Sequence, residues 1–159
     1  LSFFLLPARA WELAVGSLTP VSFERSVVEP GELAGAKRER WLGHCVAAAK
    51  QSGLDWLPEL HEPQPLKDFL ARFALAGQVG LAGSAGPDAS SVKEALVSTP
   101  PDPAGGICLL VGPEGGLTDA EYAAARNAGF ILARLGRTIL RTETACIALL
   151  AAVTAITAR

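Results

Sequence analysis

The 159-residue sequence has no methionine, two histidines, three cysteines and few charged side chains, and each shortage narrows what the chain can do. With 19% of its residues charged and 50% hydrophobic, it carries too much apolar material to stay disordered. A formal net charge of −2 gives no overall pull toward nucleic acid, so any such contact has to come from a local patch or a second domain. Cys45, Cys108 and Cys146 lie far apart, with no paired spacing for zinc or dithiol chemistry. They read as buried thiols in a reducing, cytoplasmic setting. His44 and His61 stand alone, and no metal cluster is expected. The apolar opening, residues 1–6, is too short to span a bilayer and lacks the basic flank of a signal peptide, so no membrane association is expected. The missing methionine and the leading Leu1 suggest a piece of a longer protein.

What is present suits one compact domain, rich in the alanine and glycine that let helices pack closely over a sheet. Short apolar runs at residues 1–6, 56–60, 79–82, 107–111 and 130–135 predict strands. Residues 33–52 predict an amphipathic helix covering a sheet, with Trp41, Cys45, Ala48, Ala49 and Ser52 on one face. Lys37, Arg38, Glu39 and Arg40 turn mostly toward water. Residues 66–75 predict a second helix and 92–97 a brief one, while Gly, Ser and Pro at 83–89 and 98–106 mark loops. Trp11, Trp41 and Trp56 suit core or interface packing. The alternation, without internal repeats, indicates an α/β domain with a mostly parallel sheet.

The apolar run at 107–111 leads straight into Gly112-Pro113-Glu114-Gly115-Gly116. Thr118 and Glu121 then have the S/T-x-x-E spacing in which each side chain satisfies a backbone amide of the other, so a helix starts there. It is expected to end near Ala128, with Gly129 supplying the left-handed turn. A strand, a glycine turn and a capped helix form either a simple tight turn or a ligand cradle, because glycine lets backbone approach a ligand closely. Phosphate is disfavoured: neither G-x-x-x-x-G-K nor G-x-G-x-x-G occurs, and Glu114 repels anions. A ligand with positive charge and an adenine, such as S-adenosylmethionine, fits better.

A second loop follows Leu135-Gly136, and Ile139-Leu140-Arg141-Thr142-Glu143-Thr144-Ala145 opens a long helix that is apolar nearly all round. Thr142 or Thr144 can cap that helix, and Glu143 complements its dipole. Capping leaves Arg141 unexplained, a cation where the positive end of the dipole disfavours one. Such a placement points to an anionic ligand or substrate.

In order and spacing, Gly112-Pro113-Glu114-Gly115-Gly116, Leu135-Gly136 and Ile139 to Ala145 closely resemble the RsmE family of 16S ribosomal RNA uridine-N3 methyltransferases. Weaker similarity runs through Glu24-Arg25-Ser26-Val27-Val28, through Lys37-Arg38-Glu39-Arg40-Trp41, and from Ala48 past Gln51-Ser52 to Pro58. The resemblance implies a SPOUT-type α/β fold, a parallel sheet flanked by helices with a C-terminal trefoil knot, which is an exception to unknotted topology. It implies one domain over residues 1–159, shortened between Leu6 and Arg9 and without the family's N-terminal PUA-like RNA-binding domain. It further implies S-adenosylmethionine held around Leu81, by Gly112, Pro113, Glu114, Gly115 and Gly116, and by Leu135, Gly136, Ile139, Leu140, Thr144 and Ala145. The family works as a homodimer on 16S ribosomal RNA or the 30S subunit, with RNA reaching the site across the subunit interface. Two positions depart from its pattern: Leu54 replaces an arginine after Gln-Ser-Gly, and Arg137-Thr138 replace proline followed by arginine or asparagine.

For that reaction uridine N3 must lose its proton, and a cation beside the base stabilises the resulting anion. Arg141 is assigned that role, with Arg25 a weaker candidate and Glu143 either assisting proton removal or capping. Arg25, Lys37, Arg38 and Arg40, with Gln51 beside them, are the candidate RNA contacts, against the alternative of a solvated helix face. Three other readings compete: a knot that dimerises and binds S-adenosylmethionine without turnover, a SPOUT methyltransferase for another RNA, and an α/β enzyme using the glycine loop for a dinucleotide.

Overall fold

The computed structural model describes residues 13, 15–26, 35–102 and 105–158. The strand expected at residues 1–6, Trp11, and most of the stretch near Arg9 lie outside them. So does the side chain of Lys37.

Four parallel strands make the central sheet, in the order β6-β8-β5-β7: β5 (Val79–Gly83), β6 (Ser90–Ser91), β7 (Ile107–Leu110) and β8 (Phe130–Arg134). The expected runs at 79–82, 107–111 and 130–135 agree with these to within a residue. Each is a continuous apolar stretch because both faces of the sheet are covered, so neighbouring side chains enter opposite cores. On one face Ala82, Leu110, Phe130 and Leu132 pack with Leu66, Leu70 and Phe73 of helix α2 (Leu66–Phe73) and Ala125 of helix α4 (Asp119–Asn127). On the other, Leu81 and Ala133 meet Val92, Ala95 and Leu96 of helix α3 (Val92–Ser98) and Leu149 of helix α5 (Thr142–Thr157). The Phe73 and Phe130 rings sit with centroids 4.0 Å apart.

Ahead of this sheet, the short parallel pairs β1 (Ser17–Leu18) with β3 (Glu59–Leu60) and β2 (Val21–Ser22) with β4 (Gln64–Pro65) link the first part of the chain. Helix α1 (Gly35–Ser52) buries Trp41, Cys45, Ala48 and Ala49 as its spacing requires, while Ser52 is exposed. Its buried face meets Leu18 and Leu60, so it covers the β1–β3 pair and not the large sheet. The strand expected over 56–60 shrinks to Glu59–Leu60, because Trp56 and Leu57 point outward, 40% and 55% exposed. Helix α2 stops two residues earlier than expected, in a turn over residues 74–77.

The two-residue strands β1, β2, β4 and β6 carry too few residues to show an alternation, and the sequence gives no sign of them. Helix α3 starts at a capping box that went unnoticed: Ser91 Oγ accepts from Glu94 N at 3.2 Å and Ser91 N donates to Glu94 Oε2 at 2.8 Å. Hydrogen bonding of the carboxylate to Ser91, first of all to its backbone amide, holds Glu94 below its ordinary pKa.

Candidate cofactor cavity

A cavity of about 340 Å³ opens beyond the C-terminal ends of β5, β7 and β8, where open parallel sheets present ligand sites. One wall is the glycine loop, Gly112, Pro113, Glu114, Gly115 and Gly116. The opposite wall is Leu135, Gly136, Thr138, Ile139 and Leu140, continuing into Thr142, Ala145 and Leu149 of α5. Gly83, Ser84 and Ala85 from the end of β5, with Tyr122 from α4, close the floor.

Local chemistry fixes the first wall. The expected box forms, with Thr118 N donating to Glu121 Oε2 at 2.8 Å and Glu121 N donating to Thr118 Oγ1 at 3.2 Å. The helix runs to Asn127 with Ala128 at its C-terminal cap, and Gly129 takes φ +98° as expected. Within the loop, Gly116 N donates to Pro113 O at 2.8 Å, and Gly116 has φ +69°, a conformation that strains other residues. Gly112 lies so close to Leu117 that a Cβ there would overlap the leucine side chain.

The two walls, 30 residues apart in sequence, join where Thr142 Oγ1 donates to Gly112 O at 3.1 Å. This corrects the capping expectation for α5. Arg141 occupies the cap position and no side chain caps the helix, because the Thr142 hydroxyl is turned to the glycine loop and Thr144 is exposed. Arg141 O accepts from Ala145 N at 2.8 Å, so the arginine does stand at the positive end of the helix.

Of the expected cofactor residues, ten line the cavity: the five of the glycine loop, Leu135, Gly136, Ile139, Leu140 and Ala145. Leu81 does not: it is fully buried one turn of chain below, in the core formed with α3 and α5, and Gly83 to Ala85 stand in the place assigned to it. Thr144, Arg141 and Glu143 also fall outside the lining, although Leu140 and Thr142 on either side of Arg141 belong to it. Arg25 is remote in sequence yet touches the site, its Nη1 donating to Gly115 O at 3.1 Å. The helix-α1 candidates are not brought to the cavity: Arg38 pairs with Glu62 at 2.8 Å, and Arg40 and Gln51 are exposed.

Sequence reasoning missed Ser84, Tyr122, Thr138 and Thr142 as lining residues. Tyr122 OH donates to Gly83 O at 3.3 Å, tying α4 to the end of β5. The available signal was positional, since residues just past the C-terminal end of a parallel strand are where ligands sit.

The chemistry of the lining is selective. Among the described residues that line the cavity, Glu114 is the only charged one; the rest are glycines, hydroxyl-bearing residues and apolar side chains such as Val111, Leu117 and Leu140. None of these lining residues is a lysine or an arginine. No cluster of three or more metal-ligating side chains occurs among the described residues, and no described helix is long and apolar enough to cross a membrane.

A three-layer α/β domain with a carboxylate-bearing glycine cradle at its strand ends defines a class of small-molecule-binding α/β domains. Residues 5–154 match the model of the RNA methyltransferase domain family, and the chain belongs to that family. It is 32% identical over 145 residues to ribosomal RNA small subunit methyltransferase E of Synechocystis, covering 91% of this chain and 46% of that protein. The namesake from Mycobacterium bovis is 35% identical over 124 residues, 76% of this chain and 45% of its own length. The chain thus spans about half the length of these curated relatives. The crystal structure of the Neisseria gonorrhoeae enzyme of the same name, bound to S-adenosyl methionine, superposes with a TM-score of 0.81 at 31% identity, over 98% of this chain and 61% of the other. The α/β, SPOUT-type parallel sheet flanked by helices is therefore the fold of this chain.

Proposed function

We propose that this chain is the catalytic domain of an S-adenosylmethionine-dependent methyltransferase acting on N3 of a uridine in small-subunit ribosomal RNA. The observation that carries the proposal is the meeting of the glycine loop and the segment 135–145 in one cavity whose lining charge is a single carboxylate. Glu114 favours a cationic ligand and disfavours the anionic pyrophosphate of a dinucleotide. The apolar residues accept the flat face of a base, while exposed backbone groups of the glycines offer it hydrogen bonds. The relatives' names and the cofactor held by the Neisseria enzyme support the same assignment.

S-adenosylmethionine supplies an electrophilic methyl group, so the protein's task is to position the acceptor and stabilise charge. Gly112, Gly115, Gly116, Leu135, Gly136, Leu140 and Ala145 would hold the cofactor, with Glu114 the carboxylate in the lining available to its positive charge. Arg141, exposed at the rim between two lining residues, stabilises the anion left when uridine N3 loses its proton. Glu143, one residue inside α5, assists proton removal. The exposed Arg40 and Gln51 of α1, with Lys37 and the half-buried Arg38 from the same helix, contact the RNA.

The homodimer is part of the reading. Helix α5 is largely apolar, yet Leu149 is its only buried residue among those described, and Ile156 is 41% exposed, a face that a second copy would cover. The C-terminal trefoil threading and a cytoplasmic location complete it. Calorimetric titration with S-adenosylmethionine and methyl transfer to unmodified 30S subunits test the proposal. Saturable 1:1 binding per chain with a methyl group appearing at uridine N3 is expected; binding without transfer reduces the protein to a cofactor-holding knot.

A further inference from the structure

Glu121 does more than cap its helix. Each of its two carboxylate oxygens accepts a different backbone amide: Oε2 takes Thr118 N at 2.8 Å, closing the capping box, and Oε1 takes Glu24 N at 2.8 Å, from a segment 97 residues away. Glu24 sits in a tight turn over residues 23–26, closed by Ser26 N donating to Phe23 O at 3.1 Å and by Phe23 N donating to Ser26 Oγ at 3.1 Å. Phe23 and Val21 pack on the core, so the turn has a firm base. The next residue, Arg25, reaches from this turn to Gly115 O, and its Cβ lies only 3.1 Å from where a Cβ on Gly115 would be. Gly115 lines the cavity.

From this geometry we infer that Glu121 and Arg25 are positioning residues which clasp the glycine loop from behind and hold it in its ligand-binding shape. Glu121 fixes the turn, the turn aims Arg25, and Arg25 holds the Gly115 carbonyl. A carboxylate is required because glutamine has one acceptor oxygen and satisfies only one of the two amides. The first arm of the test rests on the cofactor assignment above; the second does not.

Wild-type protein, Glu121→Gln, Arg25→Ala, the double variant and Thr118→Ala are compared. Thr118→Ala removes a capping bond but leaves the Glu24 contact, so it controls for fraying of α4. In calorimetry with S-adenosylmethionine, Glu121→Gln and Arg25→Ala are each expected to weaken binding by about tenfold, and the double variant by no more than about twofold beyond either. Thr118→Ala is expected to lower the melting temperature as much as Glu121→Gln while changing affinity by less than about twofold. In ligand-free protein, amide hydrogen exchange at Gly116 is expected to quicken in Glu121→Gln and Arg25→Ala but not in Thr118→Ala. Glu121→Gln matching Thr118→Ala in both affinity and exchange overturns the clasp. Wild-type protein that binds no S-adenosylmethionine overturns the cofactor assignment instead, and the exchange comparison still decides the clasp.

Discussion

The two walls of the cavity are built on different principles. The glycine loop is tied at every step, by its internal turn, by the capping box behind it, by Arg25 on Gly115 and by Thr142 on Gly112. Facing it, residues 135–139 are all exposed, Ile139 to 88%, and the strand ladder supporting them ends at Arg134. A wall made of satisfied backbone groups keeps its shape without a ligand; an exposed segment without such ties takes its shape from what it covers. The difference suggests a division of labour in which the tied wall presets the cofactor's place, while the looser one closes over it and ends at Arg141, the group assigned to the chemistry.

The largest effect should come from Arg141. Arg141→Ala is expected to slow methyl transfer to 30S subunits by about 10²-fold or more, as loss of a charge-stabilising donor does, with calorimetric affinity for S-adenosylmethionine changed by less than about threefold. Equal losses in both would put Arg141 in the binding wall and end the proposed division.

Adding one carbon to each wall sharpens the contrast. Gly112→Ala drives a methyl group into Leu117, itself only 6% exposed, and is expected to destabilise the fold by about 1–3 kcal/mol and weaken cofactor binding by tenfold or more. At Gly136 a Cβ meets nothing within 4 Å, so Gly136→Ala should shift the thermal midpoint by no more than about 1 °C. Thermal melts and titrations of the pair measure both; similar stability losses would show that the walls are equally fixed.

How much of this was readable beforehand follows the same line. The tied wall was legible because its signals are local: a buried strand, a run of glycines and an S/T-x-x-E box each act within a few residues. The sheet was legible for the same reason, since β5, β7 and β8 are long enough to show their apolar character. Contacts between distant segments left no local trace. Thr142 reads as a cap because threonine before a helix usually is one, and only the structure turns its hydroxyl to Gly112. Arg25 reads from the sequence as an RNA contact or a second cation beside the base, and only the fold sets it and Glu24 against α4 and the glycine loop. Leu81 was carried over with its segment, but alternation along β5 sends it into the core and leaves the loop after Gly83 at the cavity.

A smaller effect should separate the supports beneath the walls. Cys108 in β7 and Cys146 in the first turns of α5 are both half-buried, and burial raises each thiol from 9.0 to about 11. Both are therefore protonated at pH 8, and native alkylation by iodoacetamide should be slow, rising until the pH approaches 11 and not levelling near 9. Because the looser wall leads into α5, Cys146 should react about tenfold faster than Cys108, as local opening precedes global unfolding. Mass spectrometry of timed samples gives the two rates, and S-adenosylmethionine should narrow the gap. A faster Cys108 would reverse the assignment of rigid and mobile sides.

The subtlest test concerns the hydrogen bond between the walls. Among the described residues, the bond from Thr142 Oγ1 to Gly112 O is the side-chain hydrogen bond that joins them. Thr142→Val keeps the shape and removes the donor, leaving a half-buried carbonyl short of a partner at a cost of about 1 kcal/mol. Much of that should appear as a few-fold loss of cofactor affinity, because a cavity whose two sides are no longer held together must be ordered by the ligand itself. Thr144→Val, two residues on and exposed outside the lining, should change neither affinity nor stability measurably. If instead the two variants behave alike, the walls are registered by the packing of α5 on β7 and α3, and the threonine bond merely follows from it.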